Sequence, residues 1–390
     1  MGFAPTTLPF GTRLRARMKV SMQARMGVVD SSGSQSGLCI DRVSLRGALA
    51  GVSMDVAPGH FMSVLGGAGA GKSALMAVLS GAAVASAGLL SRDGADLRKL
   101  ASHRRGFGVV AQHDALFPTM TLAQNVAYPL VLRRVPRRDR ARMVEATLES
   151  VLLENAGRLP HMASAAERQR AWIARASVFG PSVLLLDEPL AHQPAEQRPL
   201  LVAALRRLHL LLGTITIMAT RVAGDAMAVA DQMAVLHRGT IAQAGGPASL
   251  YEQPASAVVA LATGEANVLP GVVRSIDEDG ICRVGLACGP TVEGVAGVTL
   301  REREACLICV RPERIAVAPT AASEMGEDAL DAVVLEALHL GEGVRLRLLL
   351  GAGQEILVKR PAAAGLRGLK PGEPVAIAWQ PQHASVFASA

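Results

Sequence analysis

The run GGAGAGKS at residues 66–73 sets a lysine and a hydroxyl directly after a glycine-rich stretch, with the spacing G-x-x-x-x-G-K-[ST]. Gly66, Gly67, Gly69 and Gly71, with the small Ala68 and Ala70 between them, let the backbone curl until successive N–H groups point inward at a phosphate. Lys72 would reach the outer phosphates, Ser73 would ligate Mg2+, and Ala74, next on the helix, would complete the set of nucleotide-binding residues. A second run, SVLLLDEP at 182–189, ends an apolar stretch in two adjacent carboxylates, Asp187 and Glu188. Two such charges at the end of a buried strand are costly unless a cation compensates them. Asp187 would hold that Mg2+, directly or through water, and Glu188 would polarise the water that attacks a terminal phosphate. A glycine turn and a solvated strand end are the plain alternatives, but the two runs together favour a Mg-nucleotide site.

A third run, ASAAERQR at 163–170, has Ser164 and Glu167 at the S-x-x-E spacing of a capping box. A helix start can hold a phosphate, or it can satisfy its own donors.

The elements that must position these residues follow from the pattern. From about 38 to 265, short β-rich runs (FMSVLGG, GFGVVAQ, SVLLLDEP, GTITIMAT, QMAVLHRG) alternate with helical spacing. That alternation predicts an α/β fold with a parallel sheet between helices. LAQNVAYPLVLRR and the run at 138–157 have helical spacing without strands, which predicts a helical insertion over about 114–170. Within it, the basic run RRVPRRDRAR at 133–142 reads as a solvated helix face, with acidic loops or lipid headgroups as the alternative contact. From 266 to 390, short alternating strands with glycine turns predict a separate all-β region, in two clusters that suggest two related small barrel halves.

The 390-residue chain is long enough for two domains or three, and half of it is hydrophobic. Aromatics are only 3%, which argues against stacking platforms for bases, and no basic-plus-aromatic motif supports a nucleic-acid partner. The net charge of +7 owes four charges to residues 1–37, where Arg13, Arg15, Arg17, Lys19 and Arg25 face Asp30 alone. That segment reads as a disordered or mis-annotated extension, with Met18, Met22 and Met26 as alternative starts. It lacks a signal-peptide core, and no apolar run reaches the length of a spanning helix. Of five cysteines, Cys306 and Cys309 form a C-x-x-C downstream of Cys282 and Cys288. EACLICVR reads as a strand, however, and positions three apart on a strand face opposite sides, so buried or idle thiols are preferred over zinc. The nine histidines (60, 103, 113, 161, 192, 209, 237, 339, 383) show no ligand spacing. Trp172 is expected to pack its helix onto the sheet.

These motifs, with VVAQHDALFPTMTLAQNVAYPL at 109–130 and GEANVLPG and VRPERIAVAP beyond, resemble the ATP-binding subunit of an ABC transporter. The likeness runs over about 38–390 and is to the importer branch with a C-terminal TOBE region, polyamine-type subunits above all. It implies a P-loop ATPase domain followed by an OB-like TOBE domain, with ATP and Mg2+ as cofactors. By this match Gln112 touches Mg2+ and the attacking water and relays nucleotide state to the membrane subunits. The resemblance further implies integral permease subunits, a solute-binding protein and a second ATP-binding subunit as partners. It places the chain peripherally on the cytoplasmic side of the inner membrane.

The same resemblance exposes departures. The family signature L-S-G-G-Q aligns with ASAAE at 163–167, where Ser164 would donate to the partner subunit's terminal phosphate. Here the two glycines are Ala165 and Ala166, and Glu167 brings a negative charge. At about 7 Å and an effective dielectric of about 20, one such repulsion costs roughly 2 kcal/mol. The histidine expected after the strand GTITIMAT is Arg221, which cannot accept or shuttle a proton at neutral pH. LAHQPAEQ has Pro194 where a crossing aspartate is expected, and VSLRGALAG offers Leu45 or Arg46 in place of an adenine-stacking aromatic. The expectation is therefore a transport-coupled ATPase whose activity is weakened. The alternative is a subunit that binds ATP but hardly hydrolyses it and acts as a regulatory or structural half.

Overall fold

A computed structural model of the chain describes residues 37–112, 116–191, 193–287, 289–297, 300–319, 329–351, 353–362, 366 and 368–389. The expectations for residues 1–36, His113, His192 and Cys288 lie outside the described residues. The chain divides into two units, one up to Pro247 and the other from Ala248.

In the first unit, β1 (Leu38–Leu45), β2 (Leu49–Val56), β4 (Ala87–Arg92) and β5 (Ala95–Asp96) form an antiparallel sheet in the order β2-β1-β4-β5. A six-stranded sheet has the order β10-β9-β3-β8-β7-β6. Its strands are β3 (Phe61–Leu65), β6 (Phe107–Val110), β7 (Val183–Asp187), β8 (Ile215–Thr220), β9 (Gln232–His237) and β10 (Thr240–Gly245). All neighbours are parallel except β9 and β10. Every residue of β3, β7 and β8 is buried, which is why these strands read as unbroken apolar runs rather than alternating ones.

Successive residues still face opposite layers. Val183 and Leu185 pack with Leu75 and Leu79 of α1 (Lys72–Ser80), while Leu184 and Leu186 pack with the other layer. The helical insertion contributes α2 (Leu122–Leu132), α3 (Arg137–Ser150) and α4 (Ala165–Ser177). Trp172 and Ile173 of α4 join that other layer, with Leu201, Leu205 and Leu208 of α5 (Arg198–Leu212). A short α6 (Ala223–Val229) follows β8. Thr121 and Gln124 cap the start of α2 reciprocally, at 3.1 and 2.8 Å.

In the second unit, a closed barrel runs β11-β12-β13-β20-β14. Its strands are β11 (Asn267–Ile276), β12 (Ile281–Leu286), β13 (Thr291–Ala296), β14 (Ala305–Val310) and β20 (Ala384–Ala388). Beside it a five-stranded sheet has the order β15-β19-β16-β17-β18, from β15 (Ala316–Ala318), β16 (Leu330–His339), β17 (Gly343–Leu350), β18 (Gln354–Pro361) and β19 (Pro374–Ala378). The expected two barrel halves are thus one closed barrel and one sheet. The reason is β20, which leaves the second cluster to pair parallel with β13 and antiparallel with β14. Cys306 and Cys282 lie in the barrel core, and Cys309 packs in a different cluster with Ala260 and Phe387. Buried Arg311 donates to the carbonyls of Tyr251, Ala260 and Glu265 and to the Thr263 hydroxyl, at 2.7–3.2 Å. Among the described residues no helix is long and apolar enough to cross a membrane.

Candidate functional site

β3 ends at Leu65, and the chain turns through the glycine-rich loop into α1, whose first residue is Lys72. The turn depends on Gly71, at φ 106° and ψ 5°. A Cβ there would stand 2.7 Å from the Ala48 carbonyl oxygen and 3.0 Å from a Leu49 methyl. Gly71→Ala should lower the melting temperature by several degrees, for strain of about 1–3 kcal/mol, and weaken nucleotide uptake with it. A variant with unchanged melting and uptake would contradict this role.

Lys72 folds back over the loop. Its Nζ donates to the carbonyls of Gly66 at 2.8 Å and Gly67 at 2.9 Å, and lies 3.6 Å from Glu188 Oε1. Burial pushes its pKa below the usual lysine range, and the Glu188 charge works against that shift.

The two carboxylates stand at the end of β7. Burial raises the pKa of Asp187, with the neighbouring Ser73 hydroxyl drawing it back. Asp187 Oδ1 is buried and has no hydrogen-bond partner among the described residues. An orphaned carboxylate oxygen next to a serine hydroxyl is the hard-oxygen donor set a magnesium ion takes, so these residues fit the metal. Glu188 sits at φ 47°, held by its N–H donating to the Ala219 carbonyl on β8 at 2.9 Å. Its side chain is claimed from two directions. Arg221, just past β8, places Nε at 3.0 Å and Nη2 at 2.9 Å from Oε2, while Lys72 faces Oε1.

A cavity of about 410 Å3 gathers Ala68, Gly69, Ala70, Gly71, Lys72, Ser73, Ala74, Gln112, Glu188 and Arg221, with Gly47 and Ala48 on its wall. Residues 68–74 of the expected phosphate loop, Gln112 and Glu188 therefore meet in one cavity, and Asp187 touches it through its hydrogen bond with Ser73. Asn125 carries weight the sequence did not reveal. Fully buried on α2, its Nδ2 donates to the carbonyls of Phe117, Met120 and Thr121, and its Oδ1 accepts the Phe117 N–H at 2.7 Å. It ties down the stretch by which the chain, a few residues past Gln112, reaches the insertion.

Ser164 is not brought to that cavity. It caps α4, with its hydroxyl accepting the Glu167 N–H at 3.2 Å and Glu167 Oε2 accepting the Ser164 N–H at 2.8 Å. This hydrogen bond lowers the Glu167 pKa, so the side chain is charged at neutral pH, and Arg158 lies 3.8 Å away. Ala165 is exposed on this start and Ala166 is buried.

Residues 49–191 match the ABC transporter family and residues 308–387 match the TOBE domain. The chain is 32% identical over 336 residues to the spermidine/putrescine import ATP-binding protein PotA of Pseudomonas aeruginosa, covering 85% of this chain and 92% of that protein. It is 34% identical over 331 residues to the sulfate/thiosulfate import ATP-binding protein CysA of Gloeobacter violaceus, covering 84% and 88%. The solved structure of cbiO1 from Clostridium perfringens, part of the ABC transporter complex cbiONQ, shares the fold. Its TM-score is 0.52 at 24% identity, over 56% of this chain and 91% of that one. With both regions matched and relatives spanned almost end to end, the chain belongs to the ABC transporter family, as an ATP-binding protein with a C-terminal TOBE domain.

Proposed function

We propose that this chain is the ATP-binding subunit of a membrane importer for a small polar solute, with a polyamine-type solute favoured and a sulfate-type one next. The observation that carries the nucleotide reading is the curled loop around Lys72, which lines one cavity with Gln112 and Glu188, its Ser73 hydroxyl beside the buried Asp187 carboxylate with its orphaned oxygen. The loop amides and Lys72 hold the phosphates, and Ser73 and Asp187 hold Mg2+. The metal supplies neutralisation of phosphate charge there. Glu188 accepts a proton from the attacking water, and Gln112 orients that water from the rim. The solute class rests on the names of the relatives, which include both polyamine and sulfate importers.

Partners of this reading are integral permease subunits, a solute-binding protein and a second ATP-binding subunit, at the cytoplasmic face of the membrane. The insertion offers a surface for the permease. An open groove of about 730 Å3 on the insertion is lined by Gln124, Ala127, Arg140, Val144, Glu145 and Leu148, among others.

A second reading, a subunit that binds ATP and scarcely hydrolyses it, is favoured by two observations. Arg221 occupies the base Glu188, and α4 satisfies its own start with an ionised Glu167. Phosphate release by the purified chain with its membrane partners, compared with a Glu188→Gln control, separates the readings. Repair locates the fault. Changing Ala165 and Ala166 to Gly and Glu167 to Gln together should raise turnover about tenfold or more if the α4 start limits it. The expected gain reflects removal of a repulsion of roughly 2 kcal/mol. Arg221→His should raise turnover instead if the missing imidazole limits it, and failure of both would remove the hydrolysis defect from these sites.

A further inference from the structure

The corner joining α2 to α3 in the insertion brings exposed aliphatic side chains and arginines together. α2 ends in Val131 and Leu132, which are 47% and 64% exposed. The arginines of RRVPRRDRAR at 133–142 follow at once, against the single carboxylate of Asp139. The corner is ordered from within. The Arg134 N–H donates to the Val131 carbonyl at 2.9 Å and the Val135 N–H to that of Leu130 at 3.0 Å, while the Val135 side chain packs on the core. Val131 and Leu132 therefore stand at a fixed tip.

Most of the charge here is unspent. Arg133 donates to the Pro129 carbonyl and lies 3.8 Å over the Phe179 ring, and Arg142 pairs with Asp139. Arg134, Arg137 and Arg138 are exposed, and none of them meets a carboxylate among the described residues. Arg137 and Arg138 also open α3, where the helix dipole disfavours cations. A face that meets only water gains nothing from that placement. An anionic bilayer offsets it: headgroup phosphates accept from several guanidinium groups, and neighbouring aliphatic side chains enter the acyl boundary. Nucleic acid would satisfy the charges but offers no place for Val131 and Leu132, and residues 131–142 hold no aromatic to stack on bases.

Resting on the membrane setting of the importer reading, we propose that the α2–α3 corner is a direct contact for an anionic phospholipid bilayer. Arg134, Arg137 and Arg138 lie on the headgroups, and Val131 and Leu132 insert between them. The contact gives the insertion a hold on the bilayer that is separate from its hold on a permease.

Co-sedimentation of the full, nucleotide-free chain with lipid vesicles tests this with no permease present. Phosphatidylcholine vesicles with about one third phosphatidylglycerol should take up the chain about tenfold better than phosphatidylcholine alone, and high salt should erase the advantage. Arg134→Glu with Arg138→Glu should lower uptake by the anionic vesicles about a hundredfold or more, and the milder Arg134→Gln with Arg138→Gln about twentyfold. Leu132→Ser should lower it about fivefold. All three variants should keep the melting temperature and Mg-nucleotide uptake of the unmodified chain. Equal uptake by both vesicle types, or by neither, overturns the proposal. Anionic uptake that survives both arginine pairs also overturns it and moves the contact to another basic segment, such as residues 1–37 with their surplus of four charges. Unaltered uptake of Leu132→Ser overturns the insertion of the tip. Tighter retention by a short DNA duplex than by anionic vesicles, lost on the same reversal, overturns the lipid in favour of nucleic acid. Each of these failures leaves the importer reading standing, because neither nucleotide nor permease takes part, whereas a chain that takes up no Mg-nucleotide sinks that reading and leaves the vesicle result intact.

Discussion

Lys72→Met is expected to reduce affinity for Mg-nucleotide by about a hundredfold or more, measured by calorimetry on the purified chain. The side chain is 5% exposed and sits over the loop that its own hydrogen bonds to Gly66 and Gly67 hold closed. Each charge-assisted hydrogen bond lost to a phosphate is worth about 1.5–3 kcal/mol, and Lys72 can make more than one. Methionine keeps most of the aliphatic stem, so packing is largely spared. Removing one partner of a buried ion pair usually costs about 3–5 kcal/mol, but Glu188 keeps the two contacts from Arg221. The loss should therefore fall on binding, with only a modest drop in melting temperature. Tight uptake by the methionine variant would refute the phosphate-loop assignment.

The second large effect belongs to Glu188→Gln. A positioned general base typically contributes about 10²–10⁴ in rate, so phosphate release should fall at least about a hundredfold in a chain that hydrolyses ATP. Triphosphate binding should persist, because the amide keeps the shape and removes a charge that repels the phosphate. Stopped turnover with retained binding identifies Glu188 as the base. Two chains with the same negligible rate would assign the chain to the hydrolysis-impaired class. The pairing of Glu188 with Arg221 makes this comparison informative in either direction.

The loop and the acidic pair were legible because each is written in a few contiguous residues. Curling at Gly71 and the reach of Lys72 are local consequences of GGAGAGKS. The parallel sheet was legible because strands buried on both faces need uninterrupted apolar runs, as in β3, β7 and β8. The self-capped start at Ser164 follows from two residues three apart. What escaped was non-local. Arg221 and Glu188 are 33 positions apart and meet only because β7 and β8 are neighbours in the sheet. Asn125 reads as an ordinary polar residue on a helix, and nothing nearby in sequence says that three carbonyls converge on its amide. β20 closes the barrel from the far end of the chain, across a gap that local spacing does not encode.

The reciprocal start of α4 has a consequence for timing. α2 begins in the same way, at a position to which no ligand is assigned. A terminus completed from within needs no outside molecule to order it, so α4 is already in place before any encounter. The entropy of forming it is not subtracted from affinity when a complex assembles. What the arrangement forgoes is tightening on contact: this edge of the molecule acts as a finished wall, and responsiveness must reside elsewhere in the fold.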